Sequence, residues 1–394
     1  MVPPTPHQAA RAQPSVPVLG PRALNRATLA RQLLLDRAER SARDAVAHLV
    51  GLQAQNVKPP YYQLHARLAG FRPEELAELM ETRQVVRMVT MRSTIHTHTA
   101  EDALALRPLV QPARDREIAV FRKGLVGVDL ARLARLARAF VEGDEPRTMG
   151  EIGQELLREW PDADPPSLAT AARCALPLVQ VTPRGVWGRS GQVRLTTLHH
   201  WLGRPAPDVP ATEPAESASA APPLDEVVLR YLGAFGPASV KDMQVWAGLT
   251  RLGAAFERLR PRLLVFRDEN GVELFDLPDA PRPDADAPAP PRFLPEFDNL
   301  LLSHADRTRV VPAGLKGRTW KGNQAYRTLL VDGFLAGVWK ETDGVLTVEP
   351  FRELTRAQRQ EVIAEGELLL DAMVRPAGTA DAPHGGVRFG SITG

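Results

Sequence analysis

The sequence predicts an α+β protein, with tandem winged-helix units followed by a small C-terminal β-barrel. Three observations predict it. One order of elements, two or three helices and then a strand pair, recurs three times. Three stretches with six prolines each, residues 1–21, 203–223 and 278–291, punctuate the chain. Proline lacks the amide donor that helices and ladders need, so these read as a disordered tail and two extended linkers. The remainder, Arg292 to Pro350, is strand-like and rich in turn signals, which a small antiparallel barrel accounts for most simply.

The first unit spans 22–128. Asn25 is placed to cap a helix running ATLARQLLL, and a second helix is expected from Ser41 or Asp44 to about Gln55, burying Ala45, Val46, Leu49 and Leu52. Pro59-Pro60 should stop it. A helix from Pro73 to Glu81 then precedes the strand segment VVRMVTMRSTIHTHT. The second unit, 129–202, carries helices in DLARLARLARAFVEG, TMGEIGQELLREW and SLATAARCALPLV, then strands in LVQVTPRGVWG and QVRLTTLHHW. The third, 224–277, repeats the plan, and Glu269-Asn270-Gly271 between its strands is a tight-turn signal. Helix, helix, helix, hairpin presents one helix and one hairpin to a duplex. Residues 292–373 form the barrel and a final helix from Arg352 to Met373, and 374–394 read as a flexible tail.

Composition bounds the function. A chain of 394 residues, 44% hydrophobic and 24% charged, is that of a soluble globular protein with two or three domain-sized units. No apolar run approaches the roughly 18 residues of a spanning helix, so no membrane is expected. The N-terminus lacks a basic segment followed by an apolar one, and does not read as a secretion signal. Cys174 is the single cysteine, which excludes an intramolecular disulfide and a cysteine-based metal cluster. Cytoplasmic residence, in contact with the nucleoid, is the expectation. Net charge is only +2, but 303–327 holds six basic residues (Arg307, Arg309, Lys316, Arg318, Lys321, Arg327) against one acid, Asp306. The chain has 43 Arg and 6 Lys, so arginine abundance alone says little, and Lys316 and Lys321 stand out. Neither GxGxxG nor GxxxxGK[ST] occurs, and no cofactor or metal is expected.

Four runs then carry a resemblance: GLQAQN in the first unit, RSTIH on its strand, LPEFDNLLLSHADR, and VDGFLAGVWK after it. They resemble the AlkZ-like and YcaQ-like bacterial DNA glycosylases, a winged-helix DNA-binding domain family, from about Leu24 to Met373. The resemblance implies tandem winged helices and a barrel forming a C-shaped basic channel. It also implies excision of alkylated purines, notably N7-alkylguanine, from double-stranded DNA by a monomer. Its most specific element is a Gln-apolar-Gln triplet, here Gln53-Ala54-Gln55, which implies catalytic roles for Gln53 and Gln55. The YcaQ branch usually has Asp at the second position. Gln55 therefore places the chain nearer the AlkZ branch, whose members unhook interstrand crosslinks and protect producers of DNA-alkylating antibiotics.

A glutamine amide offers two donors and an acceptor and does not titrate near neutral pH. Two glutamines cannot protonate a poor leaving group; they can hold a water or aim an amide oxygen at a developing sugar cation. The base must already leave well, as a cationic N7-alkylguanine does. On a regular helix residues i and i+2 point about 200° apart, so convergence requires the helix to loosen before Pro59. The plain alternative is that both glutamines cap helix carbonyls. His96 and His98 share one strand face, and His96 with Arg92 is expected near the site, Arg92 on a phosphate; an ordinary wing strand is the alternative. His304 and Arg307 are expected along the DNA channel, unless Asp306 and Arg307 form a structural ion pair. Lys316, Arg318 and Lys321 surround Trp320 in the loop 313–323, suited to a hairpin pressed on a groove or on phosphates; a solvated turn is the alternative. His199-His200 are expected on solvent or phosphate. A different class of function is also open, a non-enzymatic winged-helix regulator, against which three units plus a barrel in one chain argue.

Overall fold

The computed structural model describes residues 16–205, 224–374 and 385–392, so the linker 206–223 and most of both tails lie outside the described residues. Within them the chain is mixed α and β. The first segment contributes helices Ala42–His48, Pro59–His65 and Pro73–Glu81, strands Leu52–Gln53, Val85–Val89 and Ile95–Thr99, and a long helix Ala100–Ile118. Next come helices Leu130–Val141, Met149–Leu157 and Pro165–Ala175, with strands Leu178–Gln180 and Leu195–Thr197. Val85–Val89 pairs with Leu178–Gln180, so five strands from both segments form one sheet across the boundary drawn at 128. The third segment has helices Leu224–Phe235, Val240–Ala247 and Gly253–Leu259 before strands Leu264–Asp268 and Glu273–Asp276, joined where Gly271 has φ +79°.

Several local expectations are corrected. The first helix begins earlier, at Pro21, and Asn25 lies buried inside it, donating to the carbonyls of Arg309 and Gly333 at 2.7 and 2.8 Å. The helix capped by Ser41 ends at His48, and the chain then turns through Val50 and Gly51, both at positive φ, into a strand. Gly51 is required there: at φ +94° an added Cβ would lie 2.2 Å from the His98 ring. Pro59-Pro60 do not stop a helix but start one, since the first helical turn needs no amide donor. His199 and His200 fall in a short helix, Leu198–Leu202, beyond the last strand of their segment.

The expected barrel does not close among the described residues. Arg292–Leu294, Arg327–Val331, Phe334–Thr342, Val345–Pro350 and Gly386–Phe389 form an open five-stranded sheet. Gly386–Phe389 lies in the segment expected to be a flexible tail, and Val18–Leu19, in the other expected tail, pairs with Arg267–Asp268. Helix Arg356–Met373 packs on this sheet through Val362, Leu369 and Leu370. The same apolar cluster continues into Val46, Leu52, Tyr61 and Leu64 of the first segment, so one core joins the two ends of the chain. Polar ties reinforce it: Arg31 grips Asp276 at 2.5 and 2.9 Å, and Arg67 grips Asp298 at 2.8 Å through both oxygens, all four side chains being fully buried. No helix of the described residues is long and apolar enough to cross a membrane.

Candidate active site

The strand Leu52–Gln53 decides the geometry of the glutamine triplet. It pairs antiparallel with Ile95–Thr99, Gln53 facing His96 in register, and the ladder runs on through the Ala54 amide to the Ile95 carbonyl at 2.8 Å. The backbone is extended at Gln53 and stays paired through Ala54, so the divergence of i and i+2 on a helix does not apply here; Gln55 lies in the bend that follows, its side-chain oxygen 3.4 Å from Ile95 N. Gln53 is buried, whereas Gln55 and Asn56 are exposed at the mouth.

Side chains from elsewhere hold nearly every backbone group of this short edge. The Asn299 side chain accepts from Gln53 N at 3.3 Å and donates to the Gly51 carbonyl at 2.8 Å. Gln63 donates to the Gln53 carbonyl at 3.0 Å, and Arg87 to that of Ala54 at 3.0 Å. Arg87 is buried without an acid partner, and burial draws its guanidinium down to about 10. Asn299 is itself set by its neighbour Asp298 on Arg67, so the LPEFDN run braces the triplet from the C-terminal sheet. Glu296 of that run accepts from Asn56 at 3.1 Å and from Arg327 at 3.0 Å. Asn299, Gln63, Arg87 and Glu296 are not singled out by the sequence; LPEFDN marks two of them only as part of a longer run.

Arg92 is the electrostatic centre. It sits at φ +54° in the kink between two strands, and its side chain is half-buried. It donates to Gln53 Oε1 at 2.6 Å, to His96 Nε2 at 3.3 Å, and to the Trp246 carbonyl of the third segment. Gly248 keeps room for it, since a Cβ there would lie 2.9 Å from the Arg92 backbone. Burial, with the nearby charge of Arg307, pulls Arg92 down to about 10. His96 donates from Nδ1 to the Thr94 carbonyl at 3.0 Å, which fixes its tautomer and leaves Nε2 as the acceptor for Arg92. Burial first, then Arg92, holds His96 well below the usual histidine range, and burial takes its stacked neighbour His98 to about 4.

Gln53, Arg92 and His96 are thus in direct contact, while the Gln55 side chain accepts from Ile95 N next to His96 at 3.4 Å. Arg307 is exposed close enough to Arg92 to shift it. His304 is not on a surface: it is buried with Nε2 on the Phe235 carbonyl at 2.9 Å, and burial holds it near 4. Asp306 hydrogen-bonds Thr308 rather than Arg307. In the 313–323 loop, Trp320–Lys321 pairs with Gln324–Ala325 as a hairpin. Lys316 and Lys321 are exposed, Arg318 lies over the Phe351 ring at 4.5 Å, and Trp320 meets Phe297 edge-on at 5.6 Å. Phe297 follows Glu296, so the hairpin leans on the segment that braces the glutamines.

Comparison with known proteins bears on the family and the fold. The family described as DNA glycosylase AlkZ-like matches residues 46–372. The fold is similar to that of Streptomyces sahachiroi DNA glycosylase AlkZ, with TM-score 0.70 and 19% identity over 95% of this chain and 100% of that one. No curated protein matches the chain.

Proposed function

The chain belongs to the AlkZ-like DNA glycosylase family and is a DNA glycosylase acting on DNA, and from that premise we propose that it removes N7-alkylated, cationic purines from duplexes. One observation carries the reading. Gln53, Gln55, Arg92 and His96 have no carboxylate among their hydrogen-bond partners, and the only histidine among them is held neutral. Such a set has no strong acid to protonate a neutral base and no strong base to activate water. It suits a base that carries its own positive charge and leaves once held in place.

In this reading Gln53 and Gln55 are the catalytic residues. The three sets of helices with their hairpins act as winged helices along the duplex, and Arg307, Lys316, Arg318 and Lys321 contact its backbone. The exposed position of Gln55 and Asn56 fits a site that meets a groove rather than enclosing an extruded base. Bulky N7 adducts, including those of DNA-alkylating antibiotics, and interstrand crosslinks are then acceptable substrates, because neither requires flipping into a tight pocket. The test is incubation with a duplex carrying one N7-methylguanine, followed by alkaline cleavage of abasic sites. Strand breaks at the lesion and none in the undamaged duplex are expected. An intact lesion strand, as a non-enzymatic winged-helix regulator would leave, contradicts the proposal.

A further inference from the structure

The polarity of the two glutamine amides is fixed by chemistry. A guanidinium only donates, so the Gln53 atom 2.6 Å from Arg92 is the amide oxygen. A backbone N–H only donates, so the Gln55 atom 3.4 Å from Ile95 N is also the oxygen. Both oxygens therefore turn inward. Gln53 Nε2 has no hydrogen-bond partner among the described residues although Gln53 is buried, so its donors are unspent, and Gln55 is exposed. What the triplet offers a substrate is N–H. The Arg92 charge on the Gln53 oxygen polarises that amide and strengthens its outward donors. Arg92 is held in turn by His96 Nε2 and the Trp246 carbonyl.

Outward donors do not stabilise a sugar cation; they stabilise an atom gaining electron density. We propose that Gln53 and Gln55 donate to the acceptor edge that the departing purine shows in the minor groove, its N3, and that Arg92 is the positioning residue that sets this polarity. This rests on the N7-alkylpurine reading. When the C1′–N9 bond breaks, its electron pair stays on N9 and spreads through the ring, cancelling the charge of the alkylated imidazole. N3, one atom from N9, becomes more basic, so a donor there binds the leaving base more tightly than the ground state. Water adds to C1′ and its proton passes to solvent. Purine N3 is a minor-groove acceptor, reachable without removing the base from the stack.

The test replaces N3 of the lesion by C–H. Single-turnover base release is measured for N7-methylguanine and N7-methyl-3-deazaguanine in the same duplex, each divided by its spontaneous rate. The native protein should favour the N3-bearing base by about 10-fold or more, and Arg92→Ala should bring that ratio close to one. A variant that merely loosened the fold would slow both substrates and keep the ratio. Equal acceleration of both bases by the native protein overturns the donor role, while a full ratio in Arg92→Ala overturns the positioning role. No release of N7-methylguanine by the native protein removes the reading beneath both, and is distinguished by that arm alone.

Discussion

At the scale of single residues, the site is arranged so that nothing in it titrates in the working range. The amides carry no ionisable proton, Arg92 stays charged until about pH 10, and His96 is held neutral by burial first and then by the Arg92 guanidinium that faces its Nε2. Base release measured on N7-methylguanine DNA should therefore be flat with pH from about 6.5 to 9, where a paired acid and base would produce a bell. Stability behaves differently. His65, His98 and His304 have folded pKa values lowered to about 3, 4 and 4, so below the unfolded value of 6.5 the unfolded chain binds more protons. Stability is then complete above about pH 6.5 and falls as the pH drops toward 4, by up to roughly 1.4 kcal/mol per pH unit for each histidine. Thermal unfolding at pH 7.5, 6 and 5 checks the sign; a midpoint that rises on acidification contradicts it. The resemblance marks the triplet, but its conformation is not legible in the sequence. An apolar run ending in AVAHLVGLQAQN suits a helix throughout, and only Gly51 at φ +94°, forced by the His98 ring, shows where the helix gives way to a strand.

Among elements, the hairpin at 320–325 and the LPEFDN run form one device. The hairpin rests through Trp320 on Phe297, and its neighbours Glu296 and Asn299 reach Asn56 and Gln53. Under the proposed function, a duplex held by the hairpin would be registered against the glutamines. Replacing Lys316, Arg318 and Lys321 by Ala should weaken DNA binding and flatten its dependence on salt by close to one unit of logarithmic slope per lost phosphate contact. Affinity measured across a salt series checks this, and an unchanged slope would make the loop a bystander. The sequence signalled this hairpin through its basic residues around an aromatic. The contacts of its neighbours with strand Leu52–Gln53 and Asn56 were not legible, because contacts between residues some 240 positions apart leave no periodic trace. The third helix-and-hairpin segment was legible for the opposite reason: its signals are local, from the helix periodicity to the turn at Gly271.

Across the whole molecule, the first and last segments share one core, and the site is assembled from three remote segments: Gln53 and Arg92 from the first, the Trp246 carbonyl from the third, and Asn299 from the short 3-10 helix that follows strand Arg292–Leu294. The open sheet in place of a barrel follows from the same convergence, since the helix Arg356–Met373 and the first segment share the apolar cluster that barrel closure would enclose. With Gln55 and Asn56 exposed on such a scaffold, the site should accept substituents that a base pocket refuses. A bulky N7-guanine adduct should be excised alongside N7-methylguanine from the same duplex, and refusal of the bulky lesion with rapid release of the methylated one would contradict a groove-facing site. Central to the proposed function is the claim that Gln53 and Gln55 perform the chemistry. It is tested most directly by single-turnover release of N7-methylguanine by Gln53→Ala, Gln55→Ala and the double variant, with duplex affinity measured on the same preparations. The account predicts release slower by roughly 10²–10³ or more with affinity kept within a few-fold. Normal release by the double variant would place the chemistry elsewhere and contradict it.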